Sequence, residues 1–507
     1  MRKLFVPLAL LLSVSAMAQQ NKDAVKFSQT ITASDLKAKL SVLAGPEMEG
    51  RETATAGQRK AAAYIENHFK QLGLLPGTPQ GYQQQYPVFI DSLSKVAFAV
   101  NSNRFNFGEN FSISASTLTD TLAKFNEIVL VGYGITDSLY DDYKDLDVKG
   151  KCILIAEGEP KSDDGTYIIS GTKRPSRASS PFSKIANAKK HGAALVLFYQ
   201  TTFRKTTNRK GNMYTAARAG GGANTVVIDS TVAETIIAGL PKDLNEMIKS
   251  GHSLSTTFKA TIDVEVKKEV LKLQSSNVVA ILPGTDKKEE YVFLTGHYDH
   301  LGIQNGQIYY GADDDGSGTT SVLQMAQAFA AAKAAGKGPR RSIVFMTVSG
   351  EEKGLLGSEY YTSHPTVDLK KVSVDLNTDM VGRIDPTYKG DSTNYVFVIG
   401  EDKLSSDLIK VSDSINKSYM HMELDRRYND PKDPNRFYYR SDHFNFAKNG
   451  VPVIFYFNGT HADYHKPTDT VDKINFDLME KRVKLVFYTA WEMANRDAMM
   501  VRDIPLN

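Results

Sequence analysis

The chain of 507 residues contains a single cysteine, Cys152. It can therefore form no disulfide bond within itself. Cys152 lies in the stretch KCILIAEG, whose apolar run is typical of a buried strand. We expect the thiol to be an inert core group, and a catalytic cysteine is not expected.

The sequence has no strong charge imbalance and, beyond its first 18 residues, no long apolar run. Its formal net charge is only +3, which gives no argument for a nucleic-acid partner or an anionic surface. No later segment supplies the roughly 20 apolar residues that a membrane span needs. The 41% hydrophobic and 23% charged residues are typical of a globular protein, and the length allows two or more domains.

The first 18 residues predict a secretory signal peptide. Arg2 and Lys3 precede an apolar run that ends at Ala16, and Ala16-Met17-Ala18 forms a small-x-small cleavage pattern. The run is too short for a membrane anchor, and no lipidation cysteine stands at the cleavage site. We therefore expect an exported protein, either periplasmic or secreted.

The remaining chain predicts two domains. Apolar periodicity predicts helices over residues 34–44 and 55–74, and the latter stretch ends at Gly73 and Pro76. Residues 111–261 contain short β runs separated by Gly- and Ser-rich connections, which predicts a separate small unit. From residue 277 onward apolar strands alternate with helices. This pattern predicts an α/β fold, a mostly parallel sheet flanked by helices, over 24–110 and 262–507.

Metal-type ligands follow the predicted strands of this second region. They are His297, Asp299 and His300, then Asp313 to Asp315, Glu351 and Glu352, Asp379, and finally His461, Asp463 and His465. In open α/β sheets, ligands bind just outside the carboxyl ends of the strands. Each residue alone could be a surface polar group, and the stretch GADDDGSG alone could be a solvated loop or a helix N-cap. A calcium loop is disfavoured because its ligand spacing is missing. Together, the clusters favour a metal site.

The ligand types point to zinc. Imidazole and carboxylate ligands without a thiolate suit zinc, although other divalent metals remain open. Two histidines and three carboxylates are too many for one catalytic zinc. They suit two ions that share a bridging carboxylate. Successive residues at a strand end point in different directions. One of Glu351 and Glu352 could therefore ligate while the other acts as a general base.

The motifs GHYDH, GADDDGSG, SGEEKGLLGS, NTDMVGR and DYHKPTDT resemble, in order and context, those of the zinc-dependent exopeptidases. That family includes bacterial leucyl aminopeptidases, aminopeptidase Y, glutamate carboxypeptidase and the transferrin receptor. The resemblance covers the chain from about residue 32 to its end. Residues 111–261 resemble the protease-associated domain that many members carry as an insertion.

The resemblance implies a role for each site residue. The five metal ligands it implies are His297, Asp314, Glu352, Asp379 and His465, and the three residues it implies for catalysis are Asp299, Glu351 and Tyr464. Asp314 would bridge two zinc ions, and a cis peptide bond is expected between Asp314 and Asp315. Glu351 would be the general base, Tyr464 would stabilise the oxyanion, and Asp299 would orient His297 or its surroundings. Arg440, Asp442 and His443 either shape the substrate pocket or form a structural cluster.

The resemblance implies an exported di-zinc aminopeptidase. It would remove N-terminal residues from peptides with a free N-terminus by means of a metal-bound water. Three alternatives stay open: a carboxypeptidase or dipeptidase on the same scaffold, a glutaminyl cyclase, and a non-catalytic binding protein.

Overall fold

The computed structural model of the protein describes residues 20–116, 120–215, 224–238 and 256–506. The predicted signal peptide, residues 1–18, lies outside them. The described chain forms two compact units. The first comprises residues 20–87 and 274–506, and the second comprises residues 88–273. The second unit begins before residue 111 and ends after residue 261 because two long strands, Gln83–Val100 and Thr257–Leu282, each contribute residues to both units.

The α-helices are, in chain order, α1 (Lys22–Ser28), α2 (Ala33–Leu43), α3 (Ala56–Gln71), α4 (Pro181–Lys190), α5 (Ser230–Ile237), α6 (Gly318–Ala334), α7 (Leu356–Ser363), α8 (Leu408–Tyr419), α9 (His443–Lys448) and α10 (Phe476–Asn495). Short 3-10 turns cover Pro46–Arg51, Arg177–Ser179, Leu369–Lys371, Arg427–Asn429, Phe437–Tyr439 and Val471–Lys473. The turn Ala312–Ser317 is irregular and leads into α6.

The strands are β1 (Leu75–Pro76), β2 (Gln83–Val100), β3 (Asn103–Arg104), β4 (Phe111–Ile113), β5 (Thr121–Leu130), β6 (Cys152–Ala156), β7 (Leu195–Tyr199), β8 (Lys210–Tyr214), β9 (Thr225–Ile228), β10 (Thr257–Leu282), β11 (Lys287–His297), β12 (Ile303–Gln304), β13 (Gln307–Ile308), β14 (Arg341–Val348), β15 (Val372–Thr378), β16 (Tyr395–Ile399), β17 (Glu423–Asp425) and β18 (Val453–Phe457).

The first unit is built on a mostly parallel sheet with the order β17-β16-β18-β15-β11-β14-β10. β11 pairs in parallel with β14 and β15, and β15 pairs in parallel with β18. The antiparallel pairs in this sheet join β16 to β18 and β10 to β14. Every residue of β14, β15 and β18 is buried, as expected for strands covered on both faces. The predicted fold class, a mostly parallel sheet flanked by helices, is therefore confirmed.

Two apolar cores lie on the two faces of this sheet. On β14, Ile343 and Phe345 join a core with α2, α3, α6 and α10. Their neighbours Val344 and Met346 join a second core with α7 and α9. This alternation follows from the two-residue period of a strand. The layers hold the ends of the parallel strands at one edge of the unit.

The second unit contains its own sheet, in which β5, β6, β7 and β9 are parallel neighbours. At the two ends of this row, β4 pairs antiparallel with β9, and the first part of β10 pairs antiparallel with β5. Cys152 is buried in β6, and burial raises the pKa of its thiol. Within the described residues of the whole chain, no helix is both long and apolar enough to cross a membrane.

Candidate metal centre

The carboxyl ends of the parallel strands bring the predicted ligands together. His297 is the last residue of β11, and Asp379 directly follows β15. Glu352 lies in the turn after β14, and Asp314 lies in the turn before α6. His465 comes from the loop after β18. All five belong to the first unit.

The carboxylate of Asp314 lies between two ligand groups. On one side, His297 Nε2 is 3.3 Å from Asp314 Oδ1 and 3.6 Å from Asp379 Oδ1. On the other side, His465 Nε2 is 3.1 Å from Asp314 Oδ2 and 3.1 Å from Glu352 Oε2. One oxygen of Asp314 thus faces each group, as a bridging carboxylate requires.

Buried polar atoms at this centre fit a cation. His297 Nε2, Asp314 Oδ2 and Glu352 Oε1 are buried without a hydrogen-bond partner among the described residues. Buried polar groups without partners are costly. A metal ion would supply the missing interaction, and the set of imidazole and carboxylate donors suits a divalent ion.

A third imidazole, His300, also reaches this centre. Its Nδ1 is 2.8 Å from Glu352 Oε1 and 3.8 Å from Asp314 Oδ2, and the side chain is fully buried. His300, Asp314 and Glu352 are close enough to hold an ion together. His465 Nε2 is closer than His300 Nδ1 to Asp314, so we assign His465 to the ligand set and His300 to the neighbourhood of Glu352. The sequence indicated no specific contact for His300.

Glu351 stands beside the ligands. Its Oε2 is 3.9 Å from His297 Nε2, and it belongs to neither of the two groups of side chains close enough to hold an ion. Burial raises the pKa of Glu351 well above its usual value, and the carboxylates of Glu352 and Asp379 add to this against the opposing effect of His297. A nearly buried carboxylate next to a metal site can exchange a proton with a reacting group.

Asp299 holds the backbone of this region. Its carboxylate accepts hydrogen bonds from the backbone N–H of Glu351 at 3.2 Å and from Thr53 Oγ1 at 2.6 Å. His297 Nδ1 is 3.1 Å from the backbone oxygen of Asp299 but 3.7 Å from its carboxylate. The carboxylate therefore orients the surroundings of His297 rather than the ring itself.

The turn with three aspartates is held by backbone N–H groups. Asp315 accepts hydrogen bonds from the N–H groups of Gly318, Met380 and His297. The peptide bond between Asp314 and Asp315 is cis, as the resemblance implies. Asp469 Oδ2 accepts from the N–H groups of Asp313 and Asp314, at 3.0 and 3.2 Å. Asp469 is thus a tether of the turn from a distant segment.

Arg51 is a buried cation behind the same turn and is 1% exposed. Its guanidinium donates four hydrogen bonds to the carbonyl oxygens of Leu43, Tyr298, Tyr310 and Gly311, at 2.7 to 2.9 Å. Burial lowers its pKa, and the carboxylates of Asp299, Asp315, Asp314 and Asp469 oppose this. Arg51 thus joins the backbone that follows His297 to the backbone that precedes Asp314.

The pocket in front of Glu351 has an aromatic wall. It is lined by Asp314, Glu351, Asp379, Met380, Phe437, Arg440, Phe455, Phe457, Thr460 and Tyr464. Tyr464 stacks on His465 with ring centroids 3.9 Å apart, and burial raises the pKa of its phenol, which keeps the hydroxyl protonated as a donor.

The segment Arg440 to His443 divides between the pocket and the core. Arg440 lines the pocket, whereas Asp442 and His443 are fully buried beneath it. Ser441 Oγ donates a hydrogen bond of 2.6 Å to Asp379 Oδ2. Burial raises the pKa of Asp442 to about 7 and lowers that of His443 to about 3. The geometry favours a substrate-facing position for Arg440 alone.

The site lies in a segment that matches a known protein family. Residues 277–490 match the model of peptidase family M28. This segment is therefore similar to the peptidases of family M28. The M28 segment contains all five candidate ligands together with Glu351 and Tyr464, whereas Arg51 lies outside it.

Curated relatives of the M28 segment are aminopeptidases by name. The chain is 31% identical over 231 residues to a probable leucine aminopeptidase of Arthroderma otae, covering 44% of this chain and 59% of that protein. It is 27% identical over 309 residues to aminopeptidase YwaD of Bacillus subtilis, covering 58% of this chain and 55% of that protein. The chain thus spans little more than half the length of these relatives.

Two solved structures share the fold over nearly the whole chain. An aminopeptidase from Aneurinibacillus sp. strain AM-1 has a TM-score of 0.59 at 20% identity and covers 95% of this chain and 99% of its own. BSAP, a zinc aminopeptidase from Bacillus subtilis, has a TM-score of 0.52 at 19% identity and covers 94% of this chain and 99% of its own.

Proposed function

We propose that the protein is an aminopeptidase of family M28 that uses two zinc ions. The observation that carries this proposal is the position of Asp314, whose two carboxylate oxygens face two separate ligand groups. Glu351 lies beside the first of these groups, with its Oε2 3.9 Å from His297 Nε2, and it is not one of the side chains close enough to hold an ion among the described residues. His297 and Asp379 would hold one ion, His465 and Glu352 the other, and Asp314 both. The names of the M28 relatives support both zinc and the aminopeptidase activity.

Two zinc ions held by these residues would supply polarisation of the scissile carbonyl and would lower the pKa of a bound water. Glu351 accepts the proton of the attacking water and then delivers it to the leaving amine. Its backbone is fixed by Asp299, which keeps the carboxylate in place. The protonated phenol of Tyr464 donates a hydrogen bond to the developing oxyanion.

We also propose that the protein is exported, on the basis of the N-terminal sequence, and that residues 111–261, which lie within the second unit, form a protease-associated domain. Cell fractionation of a tagged full-length chain, with mass spectrometry of its N-terminus, tests export. Cleavage after Ala18 and recovery outside the cytoplasm are expected. An intact N-terminus in the cytoplasmic fraction would contradict it.

A substrate panel tests the proposed activity. Purified protein is assayed on leucyl chromogens with a free or an acetylated N-terminus, and its zinc content is measured. Hydrolysis of the free substrate only, with about two zinc ions per chain, is expected. Equal rates on both substrates would refute the aminopeptidase assignment.

Glu351→Gln tests the proposed base. The variant should lose about 10²- to 10⁴-fold in kcat and keep its zinc. The matched control is Glu359→Gln, which changes an exposed carboxylate in α7 and should leave both unchanged. Undiminished activity of Glu351→Gln would remove Glu351 from the mechanism.

A further inference from the structure

Arg440 is the one cation among the described residues that line the pocket in front of Glu351. The wall beside it is apolar, formed by Met380, Phe437, Phe455 and Phe457. The other charged groups of the lining are the carboxylates Asp314, Glu351 and Asp379 of the candidate metal centre. An apolar wall with a few precisely placed polar groups is typical of a site that fixes the orientation of a ligand. The charge at this position therefore bears on which substrates the pocket accepts.

The guanidinium of Arg440 has no carboxylate partner within the described chain. Two other arginines of the first unit do have a carboxylate partner. Arg383 Nη2 is 2.9 Å from Asp463, and Arg426 Nη2 is 2.6 Å from Asp413. No such ion pair involves Arg440, and its side chain is exposed among the described residues. The positive charge of Arg440 is therefore not neutralised by a carboxylate of the described residues, and it is available to a bound ligand.

The side chain of Arg440 is nevertheless held in position. Its Cζ lies 4.9 Å from the ring centroid of Phe437, and its Nη2 donates a hydrogen bond of 3.3 Å to Tyr464 Oη. A guanidinium has five N–H donors, so about four remain for a ligand. The fork geometry of these donors suits a carboxylate, which it can bind through two parallel hydrogen bonds.

We propose that Arg440 binds a carboxylate of the substrate and so selects peptides that carry one next to the scissile bond. This inference rests on the proposed aminopeptidase function. Tyr464, the partner of Arg440, is the proposed oxyanion donor, so the guanidinium lies close to the reacting carbonyl. A carboxylate that near has two sources: the C-terminus of a dipeptide, or the side chain of an acidic N-terminal residue.

Four substrates separate these sources. Leu-Ala carries a C-terminal carboxylate, and Leu-Ala amide does not. Glu-Ala amide carries a side-chain carboxylate, and Gln-Ala amide carries none. The kcat and KM values of wild type, Arg440→Gln and Arg440→Lys are measured on all four. Arg436→Gln is the matched control, because Arg436 lies in the same loop, stacks on Tyr439 at 4.7 Å and does not line this pocket.

In wild type, the carboxylate substrate should be preferred over its neutral partner in one of the two pairs. The pair that shows this preference identifies the source of the carboxylate. Arg440→Gln should raise KM for the carboxylate substrate about 10- to 100-fold, as expected for loss of a charge-assisted hydrogen bond. The KM for the neutral partner should rise less, so the ratio of kcat/KM between the two members of the pair should fall toward 1. Arg440→Lys should recover part of the preference, and Arg436→Gln should match wild type.

Two results would overturn the proposal. Equal losses of kcat on all four substrates would mean that Arg440 acts through Tyr464 rather than on a substrate carboxylate. Unchanged kinetics would mean that Arg440 makes no substrate contact. If wild type with full zinc content hydrolyses none of the four, the proposed function itself fails. Zinc content and the fluorescence of Trp491 verify that each variant is folded.

Discussion

Replacement of Arg51 should destabilise the first unit strongly, although Arg51 lies far from the predicted ligands in sequence. Arg51→Met removes four hydrogen bonds. The carbonyl of Gly311 keeps the N–H of Gly316 as a donor, so three carbonyl oxygens, those of Leu43, Tyr298 and Tyr310, lose the partner that Arg51 supplies. Leaving a buried acceptor without its partner costs about 1–3 kcal/mol. With the lower figure for each of these three carbonyls, the free energy of unfolding should fall by about 3 kcal/mol.

Arg51→Lys separates charge from geometry. An ammonium group keeps the charge but carries its three donors on one nitrogen, so it cannot reproduce the planar fork that reaches all four carbonyl oxygens. We expect a loss of about 1.5 kcal/mol, roughly half that of Arg51→Met. Arg59→Met is the control, because Arg59 is exposed and donates one side-chain hydrogen bond of 3.3 Å. Its effect should stay within about 0.5 kcal/mol.

Trp491 provides the assay. It is the only tryptophan of the chain and packs in the core of the first unit, so its fluorescence during urea unfolding reports on that unit alone. Zinc affinity, measured by chelator competition, should also fall in Arg51→Met, because the backbones next to His297 and Asp314 are no longer joined. An Arg51→Met protein within about 1 kcal/mol of wild type would refute this reasoning.

Three further results are expected. Asp314→Asn should hold at most one zinc ion per chain by elemental analysis, because the bridge between the two ligand groups is lost; two retained ions would exclude it as the bridge. Chelation of zinc should lower the Trp491 transition temperature of wild type, since a bound ion at 1,000 times its Kd contributes about 4 kcal/mol; an unchanged transition would argue against metal binding by the folded state. Burial raises the pKa of Asp375 to about 8, against about 3.9 in an unfolded chain. The proton on Asp375 therefore stabilises the fold below about pH 4, and this stability is lost as the pH rises to about 8, by at most about 1.4 kcal/mol per pH unit. In urea titrations, the free energy of unfolding of Asp375→Asn should fall less than that of wild type between pH 5 and pH 8. An identical pH dependence of the two proteins would show that Asp375 does not carry this proton.

Much of the metal centre could be predicted from the sequence because its ligands follow recognisable strands. Val292 to Gly296 and Val372 to Thr378 read as apolar strands, and each leads directly into a ligand. The parallel arrangement of these strands then brings the ligands to one edge. Local sequence patterns and a known rule of sheet geometry were sufficient to predict that these residues meet, whereas the role of each residue came from the family resemblance.

The supports of the centre could not be predicted in this way. Arg51 binds carbonyl oxygens, which every residue has, and three of its four partners lie about 250 residues further along the chain. His300 and Glu352 meet only after β11 and β14 have paired. The limits of the second unit depend on two strands that extend well beyond their apolar runs.

The tether formed by Asp469 has a consequence for the order in which the protein matures. The turn that contains Asp314 is synthesised 155 residues before the carboxylate that fixes its N–H groups. A nascent chain that ends before His465 therefore has the residues His297, Asp314, Glu352 and Asp379, but it has neither the second histidine nor the carboxylate of Asp469 that anchors the turn. Such a chain should bind zinc weakly, so that metal uptake follows the synthesis of almost the entire polypeptide.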